Sequence, residues 1–224
     1  MATTKVIDVI SRAEIITQDK TSVTWPKAEW LGWFNDAVLF VVNHRSDASI
    51  RNDDNFSVDI TNSKQELPSD ALRLTSVIRN VASGLSIREV DRKRLDDNQE
   101  GWHGTTGDDV KHYVYDPRDP KHFYIFPRPT TADHKLELVY TVAPSAIDIS
   151  NFTTDTTTLP IDDSYLNALL DFMLYRAYSK DADYASNGQR AMAHLQAASE
   201  ALGIKTQVDM SNDRMPNSRK GATQ

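Results

Sequence analysis

The sequence contains no cysteine. That excludes disulfides, thiolate metal sites and cysteine nucleophiles, and it fits a reducing compartment. Long apolar runs are also missing. The longest, residues 37–42, is about one and a half turns of helix, far short of the roughly 18–20 residues a membrane span needs. The first helical stretch, residues 3–20, is interrupted by Lys5, Asp8, Arg12 and Glu14, so it has no signal-peptide core. A soluble chain with no membrane partner is expected. The third shortage is positive charge: 25 Lys and Arg stand against 32 Asp and Glu, a formal net charge of -7. General nucleic-acid binders carry a basic footprint. An acidic chain repels passing DNA rather than holding it.

Catalytic signatures are absent as well. The glycines near Gly104 are not followed by Lys-Ser or Lys-Thr, as a phosphate loop requires. There is no Gly-x-Ser-x-Gly elbow and no His-Glu-x-x-His pair. Six histidines are scattered at His44, His103, His112, His122, His134 and His194. Of these, His112 and His122 would face each other if the segment between them turned as a hairpin. The acidic pairs Asp53-Asp54, Asp96-Asp97, Asp108-Asp109 and Asp162-Asp163 have no cation-loop spacing, and capping or solvation explains them. Asn151-Phe152-Thr153 matches a glycosylation sequon, a match common by chance. No catalytic residue, metal or cofactor is assigned, and a non-enzymatic protein is expected.

What is present is a core-sized chain: 224 residues, 39% hydrophobic, enough for one large or two small domains without staples. The periodicity places helices at both ends and strands between them. Residues 3–20 carry Val6, Val9, Ile10, Ala13 and Ile16 at helical spacing. A second helix spans about 25–46, with Thr24 as its cap and Pro26 in its first turn. Trp30, Leu31, Phe34, Val38, Val41 and Val42 form its main stripe, widened by Trp33, Ala37, Leu39 and Phe40. Residues 47–55 read as a loop, and 56–60, 72–79, 112–115, 122–126 and 135–142 read as strands. In 72–79 the alternation puts Leu72, Leu74, Ser76 and Ile78 on one face. Asp116-Pro117-Arg118-Asp119-Pro120 turns the hairpin between two strands. Residues 88–98 read as one short exposed helix. Two further helices follow at about 164–179 and 185–202, the first apolar over more than one face, the second stopped by Gly203. Residues 204–224 are locally basic and without period, a tail that cannot fold alone.

The expected class is therefore α+β. Residues 1–46 and 159–203 supply a helical bundle, 47–158 an inserted small antiparallel β-sheet, and 204–224 an extended C-terminal tail. Three stretches within this plan carry a resemblance: Trp30-Leu31-Gly32-Trp33-Phe34-Asn35-Asp36-Ala37, Leu67-Pro68-Ser69-Asp70-Ala71-Leu72-Arg73-Leu74, and Leu159-Pro160 leading into Tyr165-Leu166-Asn167-Ala168-Leu169-Leu170. With this order of elements, the chain resembles the head-to-tail adaptors (connectors) of tailed bacteriophages, of the tail tubular protein A type, over residues 3–202.

That resemblance implies a virion neck protein assembled in the host cytoplasm. It implies a homo-oligomeric ring, commonly a dodecamer, between the portal protein and the tail nozzle or tube protein. DNA would pass through the channel without sequence-specific binding. The tail would dock on the portal, with Met210, Arg214, Met215, Arg219 and Lys220 as anchors. The aromatic residues Trp30, Trp33, Phe34, Phe40 and Phe172 would meet neighbouring copies, since aromatics favour buried interface centres. Two alternatives stay open: another phage neck or tail component, and an enzyme with a dispersed site around His112, His122 and Asp116.

Overall fold

A computed structural model describes residues 2–181 and 185–212, with residues 185 and 204–212 given by backbone alone. The chain divides into two compact units. One is Ser49–Ala143; the other comprises the described residues of Met1–Ala48 and Pro144–Gln224. The mixed α+β class expected from sequence holds.

The first unit is helical. It contains α1 (Val6–Ile16) and α2 (Lys27–His44), and after the inserted unit it resumes with two more helices, Leu166–Lys180 and Ala185–Asn212. Because α3 (Arg92–Asn98) lies in the inserted unit, these two are α4 and α5. Val6, Val9, Ile10 and Ala13 are the buried stripe of α1, stepping three and four residues as one helix face must. The broad apolar circumference of α4 has a local reason: α4 is the central helix, packed by α1, α2 and α5 of its own chain. Its Ala168, Leu169, Met173, Leu174 and Ala177 are all buried. Ile149, Leu159 and Ile161, from the segment returning to α4, complete this core. Residues 144–158, which the sequence pattern placed in the insertion, thus belong to the helical unit. Asn35 holds them: its amide donates to the Ile147 carbonyl at 3.0 Å and accepts from the Ile147 N–H at 2.9 Å.

Several helix ends differ from expectation. Thr24 does not cap α2, which starts after Pro26. The Thr24 N–H instead donates to the Asp19 carboxylate. Gly203 does not stop the last helix, because α5 runs on through Asn212. A C-terminal glycine stop needs a left-handed residue, and Gly203 is not among the positive-φ glycines, Gly84 and Gly101. Residues 204–212 are therefore helical rather than an extended tail.

The inserted unit is built from two sheets. The first has the order β1–β9–β3, from β1 (Ile50–Ser57), β3 (Ala71–Asn80) and β9 (Lys135–Val142), all antiparallel. The second has the order β2–β7–β6–β4, from β2 (Lys64–Glu66), β4 (Arg88–Glu89), β6 (His112–Tyr115) and β7 (His122–Phe126). Its β4–β6 pair is parallel. A parallel two-residue pair joins β5 (Thr106–Gly107) and β8 (Arg128–Pro129). Leu74, Val77, Leu136, Leu138 and Tyr140 from the first sheet and Tyr113, Phe123 and Ile125 from the second share one core. The other faces of β6 and β7 present Val114, Tyr124 and Phe126 to Leu95 of α3 and to Trp102. The period-2 alternation of both strands is thereby used on each side.

β1 lies where the pattern predicted a loop. Its residues Arg51, Asn52, Asp53 and Asp54 are polar because it is an exposed edge strand; pairing with β9 decides its state, not burial. β3 corrects the expected alternation. Its buried residues are Ala71, Leu74, Val77 and Asn80, a step of three. The register with β9 slips between Ala71 and Arg73, Leu74 and Ser76, and Val77 and Arg79. Each slip is a bulge that inserts one residue, so Leu72, Thr75 and Ile78 are extruded to solvent. The bulged edge is not left open. The Ile87 N–H donates to the Ile78 carbonyl at 3.0 Å, and the Lys121 ammonium donates to the Ala71 carbonyl.

Candidate assembly surface

α2 and α4 meet along a seam that changes character along its length. At one end Lys180 pairs with Glu29 at 2.6 Å. Next, Arg176 pairs with Asp36 at 2.9 Å. Beyond that, Phe40 stacks on Phe172 with ring centroids 4.4 Å apart, flanked by His44 on one side and Tyr175 on the other. The ion pairs are exposed, and such pairs contribute little stability, about 0–1 kcal/mol each; their value is register. The other side of α4 is tied to α5 by His194, whose Nδ1 lies 2.9 Å from the Asp171 carboxylate and whose ring stacks on Tyr178.

The five aromatics singled out from sequence fall into two groups. Trp30 and Phe34 have no exposed surface and sit inside the helical core; helical spacing alone could not tell a core stripe from a contact stripe. Burying each stabilises the unit by about 1.5–3 kcal/mol, and neither is available to a neighbouring copy. Trp33, Phe40 and Phe172 are half-buried, and Leu39 beside them is exposed. Those four are apolar parts of the α2 and α4 surface that a second chain can reach. Of the tail residues, Met210 lies on the α5 backbone. Arg214, Met215, Arg219 and Lys220 lie outside the described residues.

The dispersed catalytic arrangement does not come together. His112 is opposite Phe126, and Tyr115 is opposite Phe123, which puts His112 and His122 at opposite ends of the hairpin. His122 is bonded to Asp119, and Asp116 accepts the Arg118 N–H within the turn. Among the described residues no group of three or more His, Asp or Glu converges as a metal site would. The acidic pairs have structural partners: Asp96 accepts from the Trp102 indole, Asp97 pairs with Lys93, Asp109 accepts from Ser83 and Asp162 caps Ser164. The Asp163 carboxylate receives the backbone N–H and hydroxyl of Thr3 and the N–H of Thr4. These bonds hold it well below the usual range, at about 2.

A comparison with protein families matches residues 4–220 to the SU10 adaptor protein. The chain belongs to that family. It is a family of phage head-to-tail adaptors, in agreement with the resemblance carried by the Trp30, Leu67 and Leu159 stretches. The match runs beyond α5 and includes the segment that holds the proposed tail anchors. Adaptor membership implies a virion neck component that interacts with portal and tail. No described helix is long and apolar enough to cross a membrane. A comparison with curated proteins finds no match.

One surface of this adaptor was not legible as such. Ile15, Ile16 and Val23, at the loop end of α1, are 58%, 47% and 80% exposed. Ile16 counts as part of the α1 stripe when spacing alone is read, but the helix ends there. The only hint in the sequence is Ile15, which falls off the stripe.

Proposed function

We propose that this adaptor works as one copy in a closed ring, a dodecamer, between the portal protein and the tail nozzle or tube protein. The observation that carries the reading is family membership over residues 4–220. The physics supports it. A ring needs a heterologous contact in which two different patches meet and the rotation closes. The half-buried Trp33, Phe40 and Phe172 with exposed Leu39 offer one such patch. A net charge of -7 suits a conduit through which DNA slides without sequence-specific binding. The protein is read as performing no turnover.

The portal-facing end is residues 204–224, with Met210, Arg214, Met215, Arg219 and Lys220 as anchors. Leu202 is the last residue that contributes to the described helical core, so removing 204–224 is expected to leave that core folded. Native mass measurement of the full chain, alone and with portal rings, tests the ring. Deletion of 204–224 tests the docking role: portal binding is expected to disappear while the circular dichroism of the body persists. Unchanged portal binding by the truncated chain refutes that role.

A further inference from the structure

The loop that joins α1 to α2 is held by its own hydrogen bonds and exposes one large apolar side chain, Val23. Asp19 accepts three backbone N–H groups, from Val23 at 2.9 Å, Thr24 at 2.9 Å and Trp25 at 3.0 Å. Led by the bond from Trp25, these hold its pKa below the usual range. The buried Glu14 accepts the Ser22 hydroxyl at 2.5 Å and lies 3.8 Å from the Lys27 ammonium. Gln18 and Ser22 take φ of 60° and 51°, which costs non-glycine residues about 1–3 kcal/mol each and persists only where the surroundings over-determine it. The result of this construction is to display Val23 on the loop that follows exposed Ile15 and Ile16. Exposed apolar groups of this kind mark docking surfaces when they gather and carry a polar rim, and a pre-ordered loop loses little entropy on binding. The rim here is basic. Arg12 and Lys20 are exposed, whereas the acidic residues nearby, Glu14 of α1 and Asp19 of the loop, are buried and internally satisfied.

The same unit carries the complementary surface. No Lys or Arg occurs between Lys135 and Arg176. Within that span, the strap 148–158 carries exposed Asp148 and half-buried Asp155, whose carboxylate accepts the Thr157 N–H at 2.8 Å, with half-buried Phe152. One end of the strap is fixed at the start of α1, where the Val6 N–H donates to the Thr157 carbonyl at 3.0 Å. The loop lies at the other end of this 11-residue helix, about 16 Å away. At that distance the loop end of α1 and the Asp155 end of the strap do not meet within one chain. We propose that the loop end of α1, through Ile15, Ile16 and Val23, docks on the acidic 148–158 strap of a second copy of this chain. The inference rests on the ring reading and gives that ring its head-to-tail contact.

Because the chain has no cysteine, a thiol pair reads this contact directly. Full-length V23C/T154C, alone and with portal rings, is treated with a mild oxidant and run on a non-reducing gel, with native mass measured in parallel. Both positions are exposed, so folding is not at stake. The expected result is a ladder of dimers, trimers and larger species from the double variant, with no species above a dimer from either single variant. Oligomers by native mass without a ladder overturn this docking and leave the ring intact. Monomers alone under both conditions overturn the ring and this inference with it. Efficient dimers from V23C alone show a symmetric contact, and a V23C–portal adduct assigns the loop to the portal; either result refutes the proposal. As a second test, R12E/K20E is expected to slow assembly about tenfold or more at low salt. Adding D148K/D155K in the same chain is expected to restore it; failure of that rescue also counts against the pairing.

Discussion

Asn80 shows how much one side chain can organise. It is fully buried, and its amide donates to the carbonyls of Leu85 and Val110 at 3.1 and 2.8 Å. Its oxygen accepts from the Val110 N–H at 3.0 Å and from His134 at 2.8 Å. Asn80→Ala leaves several buried groups unpaired and is expected to cost about 2–3 kcal/mol, read by urea denaturation. The imidazole in this knot sets a pH dependence. Burial depresses the pKa of His134, partly offset by Asp109, and burial likewise depresses His112. A histidine with a depressed folded pKa takes up a proton on unfolding, so acid favours the unfolded chain. Melting of the inserted unit is therefore expected at progressively lower temperature as pH falls below about 6.5, the unfolded value. A melting temperature unchanged between pH 7 and pH 5 contradicts this. Gly107 is a steric case: a Cβ there would lie 2.8 Å from Cγ of the Pro127 ring, which cannot swing aside. Gly107→Ala is expected to cost about 1–3 kcal/mol, whereas Gly104→Ala, which meets open space, stays within about 0.5 kcal/mol.

Among the elements, β3 departs furthest from its pattern. Bulges at three places convert a period of two into a step of three. The consequence is measurable: Leu74→Ala removes core and is expected to cost about 2–5 kcal/mol, while Leu72→Ala, an extruded residue, costs about 0.5 kcal/mol or less. Equal losses at both positions would restore the simple alternation. Bulges depend on what the partner strand offers, so nothing within residues 71–80 announces them. By contrast, 112–115, 122–126 and 135–142 match their observed strands, because both faces of these strands meet what alternation implies. α1 and α2 were readable for the same reason, and only their ends moved, where the Asp19 bonds and Pro26 set the boundaries.

For the whole molecule, the division at Ser49–Ala143 has a physical basis. Ile50 pairs with Thr141, so the inserted chain enters and leaves at neighbouring points, and it closes its own core. The segment Ser49–Ala143 is expected to fold cooperatively when expressed alone, giving one sigmoidal thermal transition with the strand-rich circular dichroism of the insert. A broad, non-cooperative melt argues that the insert depends on the helices.

Helices at both ends around a strand-rich middle, the α+β class and the adaptor resemblance were determined by the sequence itself, because hydrophobic period and turn residues are local properties. Tertiary structure alone decided which apolar residues were core and which were surface. Trp30 and Phe34 lie on the main stripe of α2, yet of the residues that widen it Ala37 is buried while Trp33 and Phe40 are half-buried, a difference that only packing decides. The same holds for the loop end of α1 at 15–23. Its apolar residues become a surface because Asp19 and Glu14 turn their charges inward to hold the loop, a choice made by packing and hydrogen bonding across residues that no periodicity connects.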